Sequence, residues 1–172
     1  MKIPKLSSDR LNEIVNEISA IDDSTVKTFK RLNDAISERA RKACEKIDGF
    51  ISDIREILKA NECGKANLAL GSRMFVLHSS AEDVYIAIIG EDDEVKCSWP
   101  PKDNAKLNEA KNLKPVSCKN DALENLGKVE YLEENARCGE ALLKDFISAY
   151  KEHVSYQLEK LETFIEKANL EA

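Results

Sequence analysis

Glycine and proline are scarce in this chain: six and four in 172 residues. Sandwiches and barrels of many short strands use such residues at every corner, so those architectures are excluded. Histidine is scarcer still. Only His78 and His153 are present, so a Cys–His or Ser–His nucleophile pair must draw on one of these two. Neither sits in a motif: His78 closes a strand-like run, and His153 lies beside a helical stripe.

Long apolar runs are also missing. The longest, Val84 to Ile89, is far short of the ~20 residues a membrane helix needs. Behind Met1-Lys2-Ile3-Pro4 there is no apolar stretch of the kind a secretory signal carries. The five cysteines, Cys44, Cys63, Cys97, Cys118 and Cys138, are odd in number and no two are close. That spacing fits neither a disulfide framework nor the paired ligands of a zinc site. A reducing, cytoplasmic setting is expected.

Phosphate-binding glycine loops are absent too, since Gly64 and Gly71 match neither the Walker nor the dinucleotide pattern. Glu91-Asp92-Asp93-Glu94 is the densest acidic cluster, but it lacks EF-hand spacing and reads as a solvated turn. A net charge of −6 gives no attraction to nucleic-acid backbones or anionic lipid. The sequence therefore predicts no catalytic residue, metal, cofactor, nucleic acid or membrane for this protein.

What the chain does have is charge in quantity and apolar residues in register. Charged residues make up 34%, well above the usual quarter, which favours long solvated helices. Leu11, Ile14, Val15 and Ile18 mark a short first helix over 8–20, capped by Ser7 or Ser8. Val26, Asn33, Ala40, Ile47 and Ile54 then recur every seven residues. Phe29, Ile36, Ala43, Phe50 and Ile57 do the same three places later. This is an a/d seam of coiled-coil type and predicts a long helix over 24–61, capped by Asp22, Asp23 or Ser24. A second long helix is predicted over 128–169, where the stripe drifts through Ile147, Tyr150, Val154, Leu158, Leu161, Ile165 and Ala168 toward a natural 3.6 period.

Between these helices the period changes. Residues 73–78, 84–89 and 94–99 read as three strands of an antiparallel meander spanning 73–99. The middle strand is apolar on both sides, which predicts cover on both faces. Val95, Cys97 and Trp99 are predicted to point inward from the third. Residues 100–122 read as a polar connector, with a capping box at Asp121 and Glu124. The predicted fold is α+β, mainly α, in a single domain over 1–172. Two long antiparallel helices and a short N-terminal helix flank a small three-stranded sheet.

The functional expectation is a non-enzymatic, regulatory interaction module: an adaptor, assembly factor, chaperone-like subunit or inhibitor. It would bind another protein, or itself as a homo-oligomer, through helical bundle or coiled-coil surfaces. Asn33, polar in an apolar seam, and Trp99-Pro100-Pro101, at the end of an edge strand, are the candidate partner-binding residues. The alternative is a small-ligand or nucleotide-binding regulator, or an enzyme with a pocket between sheet and helices lined by His78 and Tyr85. Aspartate at either Ile47 or Leu161 is expected to break the bundle.

Overall fold

The computed structural model describes residues 8–62, 64–101 and 104–170, so the proposed cap at Ser7 and the thiol of Cys63 lie outside it. Its elements in chain order are helix α1 (Ser8–Ala60), strands β1 (Lys65–Leu70), β2 (Arg73–Ser79), β3 (Val84–Ile89) and β4 (Val95–Trp99), helix α2 (Asn104–Ala110) and helix α3 (Lys119–Leu170). The chain is mostly helical with one antiparallel sheet, as the periodicities predict.

The two N-terminal helices of the sequence reading are one. Asp22, Asp23 and Ser24 do not interrupt α1, because such residues cost a helix interior only tenths of a kcal/mol when neither glycine nor proline accompanies them. The two stripes are also in phase. Residues eighteen apart share one side of a helix, since five turns of about 3.6 residues return to the same azimuth. Leu11, Phe29 and Ile47 fall in one such row, and Ile18, Ile36 and Ile54 in another.

The sheet has four strands in the order β1-β2-β3-β4, all antiparallel. β1 escapes the sequence reading because Lys65-Ala66-Asn67-Leu68-Ala69-Leu70 is poor in β-branched and aromatic residues. It pairs with β2 along its whole length, through a two-residue turn whose Gly71 has a φ of 65°. Glycine takes that left-handed conformation without steric cost.

Both helices cover the same face of the sheet. Phe75, Leu77, Val84, Ile86, Ile88 and Trp99 join one core with Ile47, Phe50, Ile54, Leu132, Leu143 and Phe146. Tyr85 and Ile89, on the other side of β3, remain half-exposed. The double cover predicted for β3 is thus single. Ala87 on the outer side is buried only because it is small and lies between its cross-strand neighbours Val76 and Ser98. A register shift at Ile88/Ile89 sets Val95 opposite Ile89. That bulge turns Val95 to solvent, against the expectation for it, while Trp99 stays inside.

The larger correction concerns direction: the two long helices run parallel. Arg39 of α1 pairs with Glu133 of α3, Phe50 meets Gly139, and Ile57 and Leu58 share a cleft with Phe146 and Tyr150. Sequence numbers rise together along the contact. The expected antiparallel pair placed its one turn-back in the sheet, at the tip of the helical hairpin. Instead, residues 104–118 carry the chain back along the bundle before α3 begins. This return is anchored rather than loose. Leu107 and Ala110 of α2 are buried, and Lys106 lies over the Tyr131 ring at 4.6 Å.

Asn125 fixes the rest of the return. Fully buried, it accepts from the Lys114 backbone N–H at 3.1 Å and donates to the Lys114 carbonyl at 2.6 Å. α3 starts at Lys119, nine residues before its predicted start. Asp121 in its first turn accepts from the Ser117 backbone N–H and hydroxyl. Glu124 does not complete a capping box. It pairs with Lys114 and Lys128.

Candidate interaction surface

Two parallel helices of nearly equal length, staggered along their axes, must each leave one end unpaired. Carrying the 94-residue offset of the Arg39–Glu133 pair along both helices sets the start of α3 level with Thr25 and the end of α1 level with Val154. Residues 8–24 of α1 therefore project from one end of the molecule and residues 155–170 of α3 from the other. At about 1.5 Å per residue each arm is roughly 25 Å long.

Neither arm is polar all round. On α1, Leu11, Val15, Ile18 and Ile21 are exposed, and they continue the face that carries the fully buried Ile47 and Ile54. On α3, Leu158, Leu161 and Ile165 are exposed and Phe164 is 72% exposed. They continue the buried face of α3 that carries Val129, Leu132, Leu143 and Phe146, and Leu143 and Ile147 of that face line a groove with Phe50 of α1. By the eighteen-residue rule Val129, Ile147 and Ile165 form one row, and Phe146 and Phe164 another. Each arm thus repeats the side chains that make the internal α1–α3 contact, with no contact to them from the described residues of the body. Contiguous exposed apolar surface of this extent marks interaction sites.

At the root of the α3 arm lies an apolar cleft of about 630 Å³, lined by Ile57, Leu58, Leu68, Leu77, Phe146 and Tyr150, with Asn61 and Lys151 at its rim. It opens where α1 ends, so it continues the groove that α1 fills lower in the bundle.

The residues singled out from sequence do not converge. Asn33 is half-exposed, level with the first turns of α3. Trp99 is a core residue, 4% exposed and edge-on to Phe50 at 4.4 Å between ring centres. Pro100 and Pro101 are half-buried beside it. Asn33 and Phe50 lie about 25 Å apart along α1. His78 and Tyr85 are cross-strand partners, neither of them lining the cleft. His153 is exposed near the root of the α3 arm. The arms were legible as stripes, but that they are bare was not.

Electrostatic perturbations cluster in the body. Arg39 donates Nε and Nη2 to the two Glu133 oxygens at 2.8 and 2.7 Å, and this hydrogen-bonded pair holds the Glu133 carboxyl below the usual range. Arg41 likewise holds Glu38 down, to about 2. Burial pushes the Cys138 thiol up, with neighbouring Cys97 adding to the shift, and burial raises Cys44 as well. Thiols raised in this way are poor nucleophiles at neutral pH. Lys96 bridges Asp92 and Glu94 in the acidic turn, and among the described residues no cluster of three metal-ligating side chains forms. No described helix is long and apolar enough to cross a membrane.

Compared with known proteins, the chain matches no family model, no curated protein and no solved structure.

Proposed function

We propose that this protein is a non-enzymatic interaction module of the adaptor, assembly-factor, chaperone-subunit or inhibitor kind, acting through the apolar faces of its two arms. One observation carries the reading: the face each helix buries in the body continues along its arm uncovered. Most of the stability of a surface helix comes from packing such a stripe. The cytoplasm is the setting this reading assigns, in keeping with five cysteines at no paired spacing.

Site-specific photo-crosslinking in cells tests it. A benzophenone side chain at Val15 or Phe164 is expected to give covalent protein adducts, and the same group at Lys30, also exposed, is not. Adducts absent from both arm positions would remove the reading.

A second reading, a small-ligand-binding regulator, is favoured by the cleft alone. Its walls are aliphatic and aromatic, so an apolar molecule suits it better than a nucleotide. Binding of a fluorescent apolar dye, abolished by Leu68→Arg, is the expected outcome. Dye binding unchanged by that substitution would dismiss the cleft.

A further inference from the structure

Resting on the interaction reading, we propose that the partner of each arm is the complementary arm of a second copy of this chain, joined head to tail and parallel. Three observations on the two helices converge on that occupant.

The overhangs match in length. A stagger between helices of 53 and 52 residues leaves ends that are equal by construction, like the cohesive ends of a duplex. When the α1 of a second copy follows directly on Ala60 of the first, its residues 8–24 lie alongside residues 155–170 of the first copy's α3. The second copy's α3 then begins where the first one's ends.

The seams match in spacing. Leu11, Ile14, Ile18 and Ile21 are separated by three, four and three residues. Leu158, Leu161, Ile165 and Ala168 are separated by three, four and three as well. Parallel helices pack knobs into holes when their apolar positions recur in the same order. The end-to-end register just described sets these rows level: Leu11 with Leu158, Ile14 with Leu161, Ile18 with Ile165, Ile21 with Ala168. Asp22, which would interrupt the seam, falls beside Asn169 at its outer end, within reach of water.

The contact also continues one the fold already makes. Within one chain, the α1 face packs parallel on the α3 face. Between chains the same faces meet in the same sense, beginning beside the cleft formed by Ile57, Phe146 and Tyr150.

The contact is heterologous, so it does not close on itself and adds copies one after another. Four apolar layers place it in the small, transient class. Residues 8–24 carry five acids and one arginine, net −4, and residues 155–170 carry three acids and two lysines, net −1. Like charges meet, so salt strengthens the association by screening them.

Sedimentation velocity on the full chain tests this, with Ile18→Glu and Leu161→Glu as variants that each block one end. Both sites are exposed, and Ile18→Gln with Leu161→Gln serves as a milder pair if either glutamate lowers helicity. The wild type is expected to rise in average mass beyond two chains between roughly 10 μM and roughly 1 mM, more so at high salt. Each variant alone is expected to stay at 19.3 kDa. An equimolar mixture is expected to form a species of two chains and no larger, since it offers one compatible pair of ends. Self-association of Leu161→Glu alone, with none for Ile18→Glu, would replace the proposal with a two-fold contact between α1 arms. A mixture that stays monomeric, or a wild type monomeric at every concentration, would overturn it. In that last case crosslinks from Val15 and Phe164 to a protein of another mass would leave the interaction reading standing, and no crosslinks would sink both.

Discussion

The ring of Phe50 lies directly against the backbone of Gly139, where a Cβ built on the glycine would stand 2.2 Å from the ring's Cζ. The helices approach this closely because α3 carries no side chain at that point. Phe50 cannot yield, since Trp99 packs edge-on to it at 4.4 Å. Gly139→Ala pits a helix-propensity gain of about 1 kcal/mol against overpacking of about 1–3 kcal/mol. With three ring atoms inside 3.0 Å, overpacking wins. Urea denaturation is expected to show net destabilisation, partly relieved by Phe50→Leu in the double variant. Gly139→Ala at or above wild-type stability would contradict the packing.

Asn125 holds the returning connector through both polar groups of its amide. Asn125→Ala leaves the Lys114 backbone without these partners and is expected to cost about 1–3 kcal/mol. Hydrogen exchange at Lys114 is the sharper measurement. The amide is expected to lose protection in the variant, and unchanged protection would show that the latch does not hold.

Ile47 and Leu161 looked equivalent in the sequence, and the fold separates them. Ile47 is fully buried and Leu161 is 59% exposed. Ile47→Asp places an unpaired charge in the core and is expected to unfold the chain. Leu161→Asp is expected to leave monomer stability within about 0.5 kcal/mol of wild type. Circular dichroism melts of dilute protein decide this. A large loss of stability in Leu161→Asp would mean that the α3 arm is packed within its own chain.

The Arg39–Glu133 pair bridges the two helices at the surface, with both side chains about 40% exposed. Solvent screening limits it to under about 1 kcal/mol. Because the folded Glu133 carboxyl lies below its ordinary 4.5, its contribution is present above that value and is lost as pH falls through the folded value. Glu133→Gln is expected to sit slightly below wild type in stability from about pH 8 to about pH 5, the difference closing in more acid solution. A difference that widens with acid would reverse the assignment.

Helix and strand existence could be read from residue spacing because burial imposes period on sequence. Val84–Ile89 and the row Ile36, Ala43, Phe50, Ile57 show this directly. β1 could not be so read, since its alanines and asparagine have little strand preference and it gains order from pairing with β2. The break expected at Asp22–Ser24 failed for a related reason: capping residues end a helix only when the chain has cause to turn. The apolar arm residues were visible as a stripe, but a stripe reports which side seeks cover and not whether anything supplies it.

By itself the sequence determined that two long amphipathic rods and a small apolar meander would form, because each pattern depends on neighbours along the chain. Tertiary structure alone decided that the rods run parallel and staggered. That outcome rests on Asn125, Leu107 and Ala110 fastening residues 104–118 along the bundle, contacts between groups that no local period relates. The same stagger leaves the two arms bare at opposite ends.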